Sequence, residues 1–334
     1  MGATEDAASG RPARPDGMAR HPVTGSGVEE RFLVTGALGC IGAWILRTLL
    51  REGIPAVGFD LGTNTARLEL ILEPDELARV ELVQGDVTDL ASVERPLDDH
   101  GSTHVIHLAA MLIPLAKADP PRGAHVNVVG TVNVLEGARR RERVRGLSYA
   151  SSAAVYGPDA PTRVAEDAPP SPATHYGVHK LANEGAARIY WADDGVPSLG
   201  LRPYVVYGPG RDQGISAEPT LAMAAAARGE PYHIGFGGRV QMHYAPDAAR
   251  AFIEAARRSE EGGALVANLG GPASGIGEVV AAIEQAAPES AGSITFADTP
   301  LPFPEEFEGL VHPAPATPLR AAVAETIAIF RERL

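Results

Sequence analysis

From residue 31 onward, short apolar runs alternate with longer amphipathic stretches. The runs RFLVT (31–35), PAVGF (55–59), RVELVQ (79–84), HVIHLA (104–109), GLSYAS (146–151) and SLGLRPY (198–204) have the length and composition of buried strands. Between them, segments at 41–52, 89–99, 124–142 and 176–194 read as helices. Strands separated by helices of this length imply βαβ crossovers, and hence a parallel sheet covered on both faces. After Tyr204 the pattern loosens into Gly- and Pro-rich segments. Helices are expected there at 246–258, 275–286 and 317–332, a strand at 264–269, and an Ala-rich helix in MAAAARGE (223–230). No internal repeat is visible. The expectation is a doubly wound α/β domain over 29–204 and a smaller, mainly substrate-binding lobe over 205–334. A segment at about 239–270 is expected to return to the core sheet. Residues 1–28 show no hydrophobic period and read as a disordered tail. The tail lacks the apolar run of a signal peptide, and Glu5, Asp6 and Asp16 argue against a transit peptide despite Arg11, Arg14 and Arg20.

The first strand and helix leave a choice open. From Phe32 to Leu50 only Arg47 is charged, and about 20 apolar residues suffice to span a bilayer. Spacing decides against an anchor. Gly36, Gly39 and Gly42 fall at the strand–helix junction in TGALGCIG. A β-carbon at the first would obstruct the turn, one at the second would hold a pyrophosphate off the backbone, and one at the third would crowd helix against strand. The helix N-terminus then offers free N–H groups and a positive dipole end to phosphates. Asp60 ends the second strand, where a carboxylate accepts hydrogen bonds from an adenosine ribose. The stretch therefore reads as a Rossmann-type dinucleotide site. Three glycines and Thr35 interrupt the apolar run, and no second span follows.

Composition narrows the class. Among 334 residues, 45% hydrophobic and 21% charged is ordinary for a globular protein. A net charge of −13 gives no general attraction to nucleic acid or to an anionic membrane. The single cysteine, Cys40, cannot form an intrachain disulfide, which fits a reducing, cytoplasmic setting. The ten histidines show no metal-ligand spacing, so no metal is expected. His175 and His179, which flank Tyr176, read as solvated or satisfied side chains.

Candidate chemistry lies in YASSAAVYG (149–157) and HYGVHK (175–180). Tyr176 and Lys180, four apart on a helix, face the same way. An ammonium beside a phenol favours the phenolate and lowers its pKa. The phenolate can take a proton from an alcohol while hydride leaves for a nicotinamide. Ser152, at the end of the fifth strand, is placed to hydrogen-bond the same substrate oxygen.

With these residues in view the chain resembles the extended short-chain dehydrogenase/reductase family, the NAD-dependent epimerase/dehydratase group, over nearly all of 30–332. The matching segments are TGALGCIG, GDVTD (85–89), HLAA (107–110), NVVGTVNVLEGAR (127–139), SSAAVYG (151–157), Tyr176 with Lys180, and LRPYVVYGPG (201–210). The resemblance implies NAD as cofactor. It places Asp86 and Val87 near the adenine, and Leu38, Cys40 and Ile41 on the loop with the glycines. Leu108, Ala109, Ala110 and Pro203 lie along the cofactor, Asn127 braces its side of the site, and Lys180 reaches the nicotinamide ribose. Ser152 with Tyr176 is the implied catalytic pair. Met111, Ala153, Val205, Arg211 and Arg239 join Ser152 and Tyr176 as expected substrate contacts. A homodimer through helices near 89–99, 124–142 and 176–194 is also implied.

Departures from the family pattern inform the substrate. Dehydratases carry an Asp-Glu pair where Ala153 and Ala154 stand, and alanine does no acid–base work. The pattern is more similar to epimerases and simple dehydrogenases. Nucleotide-sugar epimerases usually place an Asn at the position of Val205, and valine cannot donate to a diphosphate. Arg239 stands where those enzymes bind phosphate, and Arg211 is nearby in sequence. The expected substrate is therefore a sugar or sugar acid oxidised at a secondary alcohol, with a nucleotide-sugar 4-epimerase as the alternative. A non-catalytic NAD sensor is the third reading, disfavoured by the complete Ser152, Tyr176 and Lys180 set.

Overall fold

In the computed structural model, residues 29–309 and 316–333 are described, so the expected tail over 1–28 lies outside them. Seven parallel strands form the central sheet: β1 (Phe32–Thr35), β2 (Ala56–Asp60), β3 (Glu81–Gln84), β4 (His104–His107), β5 (Gly146–Ala150), β6 (Ser198–Arg202) and β7 (Ala264–Asn268). Their order is β7-β6-β5-β4-β1-β2-β3. Alternation along each strand supplies both faces. Leu33, Val57, Val105 and Leu147 pack on one side with Val93, Leu97, Val134 and Ala187. Phe32, Val34, Ile106 and Leu199 pack on the other with Trp44, Leu46, Phe252 and Ala256. The main covering helices are α1 (Cys40–Glu52), α2 (Leu90–Asp99), α3 (Gly130–Arg139), α4 (His175–Asp194) and α5 (Ala245–Ser259). This is the doubly wound architecture expected from the alternation.

Strand order reverses between β1 and β4, so the chain leaves these two neighbours in opposite directions and opens a crevice at their C-terminal ends. Several boundaries differ from expectation. The fourth and sixth strands end at His107 and Arg202, because the residues beyond turn away to line that crevice. The helix expected over 124–142 begins as a π-turn, His125–Val129, before α3. The Ala-rich segment is helical over Glu218–Ala227. Of the 239–270 region, only β7 joins the core sheet. Arg239–Tyr244 instead pairs with Val205–Tyr207 and Ala273–Gly275 in a three-stranded sheet. That sheet packs with the helices Glu218–Ala227, Ile276–Ala286 and Leu319–Arg333 around Met223, Val279, Ile283 and Phe330. Among the described residues no helix is long and apolar enough to cross a membrane.

Candidate active site

A cleft of about 740 Å³ runs from the end of β2, past the first glycine turn, to β5 and α4. This falls within the usual range of small-molecule sites. Backbone crowding dictates the glycine turn. Gly36 has φ +69°, and a β-carbon there would lie 2.7 Å from the Ala109 nitrogen. One on Gly42 would lie 2.4 Å from the Gly36 carbonyl oxygen. Gly39 is less constrained, at 3.1 Å from the same oxygen. α1 starts here with no side-chain cap, so its first N–H groups face the cleft without a protein acceptor at the cap. Asp60 accepts from Leu38 N and Gly62 N, each at 3.0 Å, which fixes its carboxylate at the cleft edge. An uncapped helix start, a floor where a β-carbon would collide and an anchored carboxylate together fit a dinucleotide.

Gly36, Leu38, Gly39, Cys40, Ile41, Gly42, Asp60, Asp86, Val87, Leu108, Ala109, Ala110 and Pro203 all line this cleft, with Met111, Ser152, Tyr176, Lys180 and Arg211. Asn127 does not. Its side chain is buried behind the wall, where Oδ1 accepts from Met111 N at 2.7 Å and Nδ2 donates to Met111 O at 3.0 Å. It therefore shapes the wall by holding Met111. His179 Nδ1 sits 3.3 Å from the same amide, so this histidine supports Asn127.

Three expected substrate contacts are elsewhere. Ala153 is buried in a short helical turn with Val155 and Tyr156. Val205 is fully buried in the lobe sheet. Arg239 donates to Ala273 O at 2.8 Å and lies 3.6 Å from Glu278 on the exposed face of the lobe. In each case strand or turn geometry points the residue away from the cleft, which spacing along the chain could not show.

At the chemical end, Ser152 caps the turn after β5 by accepting from Ala154 N at 3.1 Å, and it hydrogen-bonds Tyr176. Lys180 Nζ donates to Ala150 O at 2.6 Å and stands 5.4 Å from the Tyr176 ring centroid. The expected lowering of the phenol is not found. Burial pushes Tyr176 up to about 12, against the opposing positive charge of Arg211 and the Ser152 hydrogen bond. Burial also brings Lys180 down to about 8, opposed by Glu184. Behind Lys180, Glu184 accepts from Arg202 Nε at 2.7 Å and Nη2 at 2.6 Å and from Ser151 Oγ at 2.5 Å. Cys40 is raised to about 12 by burial, in keeping with a small packed residue.

Sequence reasoning missed the outer wall. Arg67 donates to Leu38 O at 2.9 Å and pairs with Asp212 at 2.6 Å, joining the loop after β2 to segment 208–216. Trp44 Nε1 donates to Pro209 O at 2.9 Å and ties the same segment to α1. Tyr204, Val206, Ile215 and Phe303 complete an apolar wall. The one sequence signal for this wall was the glycine density at 208–214, which allows the positive φ of Gly208, Gly210 and Gly214.

The chain matches the model of the NAD dependent epimerase/dehydratase family over residues 32–270. The UDP-glucose 4-epimerase of Mycolicibacterium smegmatis is 31% identical over 230 residues, covering 67% of this chain and 72% of that enzyme. UDP-glucuronate 4-epimerase 2 of Arabidopsis thaliana is 33% identical over 186 residues, which are 53% of this chain and 42% of the plant enzyme. Among solved structures, the UDP-glucose 4-epimerase of Thermus thermophilus in complex with NAD superposes with a TM-score of 0.75 at 26% identity. That match covers 91% of this chain and 100% of the other.

Proposed function

This chain belongs to the NAD dependent epimerase/dehydratase family, and from that premise we propose that it oxidises a secondary alcohol of a sugar or sugar acid through Tyr176. The observation that carries this reading is the convergence of Ser152, from the turn after β5, with Tyr176 and Lys180, from α4, on the dinucleotide cleft. Bound NAD supplies the hydride acceptor. Ser152 orients the substrate hydroxyl toward the Tyr176 oxygen, which takes its proton. The Ser152 hydrogen bond and the Arg211 charge stabilise the phenolate against burial. Ala150 O holds Lys180 beside Tyr176, and in this reading its ammonium serves the ribose of the cofactor. Ala153 and Ala154 offer no second acid–base pair, which disfavours elimination of water.

Release of the ketone would make a dehydrogenase, and its reduction on the opposite face an epimerase. The nucleotide-sugar 4-epimerase reading is favoured by the names of the relatives. The placement of Val205 and Arg239 outside the cleft favours a substrate without a nucleotide. A homodimer is proposed through α2, α3 with the turn before it, and α4; Val129, Val178 and Ile189 are exposed on the last two. A light-scattering mass equal to one chain would remove it. For the chemistry, Tyr176→Phe is expected to lower turnover at least ~100-fold while NAD binding by calorimetry stays near wild type. Near-wild-type turnover in this variant would exclude the proposed proton path.

A further inference from the structure

Resting on the reading above, we infer that Arg211 is the anchor for a carboxylate on the substrate, so that the enzyme acts on a sugar acid and not on the parent sugar. Segment 208–216 brings Arg211 into the chemical end of the cleft, where its charge acts on the Tyr176 phenol. Among the described residues its buried Nε finds no hydrogen-bond partner, and Nη2 finds only Ser216 Oγ, at 3.2 Å. Among the described residues no carboxylate pairs with Arg211, although the chain carries a net charge of −13. Its neighbour Asp212 is turned outward and neutralised by Arg67. Gly214, at φ +95°, leaves room for the guanidinium, since a β-carbon there would sit 3.1 Å from Nη2.

A half-buried guanidinium with an unsatisfied N–H costs free energy unless a ligand satisfies it. Its planar fork suits a carboxylate in two-point contact. The walls around it are apolar, including Leu112, Ile215 and Phe303, so an anion there would be shielded from water. The dinucleotide's own phosphates have the uncapped start of α1; the Arg211 charge reaches Cys40 there as well as Tyr176, so the NAD titration below separates the two ligands.

The test uses the NAD-loaded enzyme and calorimetric titration with matched pairs: D-galacturonate with D-galactose, D-glucuronate with D-glucose, and D-gluconate with D-glucitol. At least one acid is expected to bind roughly tenfold or more tightly than its neutral partner, the scale of a charge-assisted pair. Arg211→Gln should erase that preference and Arg211→Lys should retain part of it. Both should keep NAD affinity within about twofold of wild type if the α1 N-terminus holds the phosphates. Tyr176→Phe should preserve the preference for the acid, which separates failure of this inference from failure of the proton path. Equal binding of acids and neutral partners would overturn the inference, as would a preference that survives Arg211→Gln. It would also be overturned if UDP alone bound tightly and lost its affinity in Arg211→Gln, because the anion would then be a diphosphate. Loss of NAD affinity in that variant would instead assign the charge to the cofactor.

Discussion

Acid should weaken this fold through one buried histidine. His107, at the end of β4, is 3% exposed and bridges β1 to α3. Thr131 Oγ1 spends its proton on Asn127 O at 2.8 Å, so it accepts from His107 Nε2 at 3.0 Å. Nδ1 is left to accept from Thr35 Oγ1 at 2.7 Å. The neutral ring satisfies both neighbours. Burial, aided by the Lys180 charge, lowers its pKa to about 3 from 6.5. As pH falls below 6.5 the unfolded chain binds the proton first, so folding stability is lost from there downward, and the loss continues until about pH 3. At pH 5 the gap of about 1.5 units below 6.5 corresponds to ~2 kcal/mol at about 1.36 kcal/mol per unit. That is a large part of a typical stability of about 5–15 kcal/mol. The assay is urea unfolding of wild type and His107→Gln at pH 7 and pH 5. The wild type should lose ~2 kcal/mol more between the two pH values than the variant, since all other titrating groups are shared. Equal losses would refute the assignment of a neutral, hydrogen-bonded His107.

Three further outcomes follow from the geometry. Gly42→Ala should weaken NAD binding by about tenfold or more, because its β-carbon would sit 2.4 Å from the Gly36 carbonyl oxygen and force the turn to move; calorimetry returning wild-type affinity would show that the turn yields. Asp60 should favour NAD over NADP in kcat/KM by roughly fivefold or more, from about 1 kcal/mol of like-charge repulsion, and equal efficiencies would count against its ribose role. Glu184→Gln should cost ~3–5 kcal/mol by leaving the buried Arg202 charge uncompensated. Pairing it with Arg202→Met should recover part of that in urea midpoints, and no loss in the single variant would show the ion pair to be dispensable.

The local signals along the chain determined the parallel sheet, the glycine turn and the helix carrying Tyr176 and Lys180. These are set by short-range physics: strand and helix periods, the steric demand of a turn that only glycine meets, and the i, i+4 spacing that puts two side chains on one helical face. Tertiary structure decided what long-range neighbours determine. Asn127 was legible as a site residue, but only the fold shows that it holds Met111 and stands behind the wall. Arg239 and Arg211 looked alike as anion ligands. The pairing of 239–244 with 273–275 carries Arg239 to the exposed lobe face, while the glycine-bent segment 208–216 brings Arg211 into the cleft. The Tyr176 pKa has the same origin: spacing along the helix reveals the nearby ammonium, but the burial that raises the phenol, and the Arg211 charge and Ser152 hydrogen bond that oppose it, come from segments far apart in sequence.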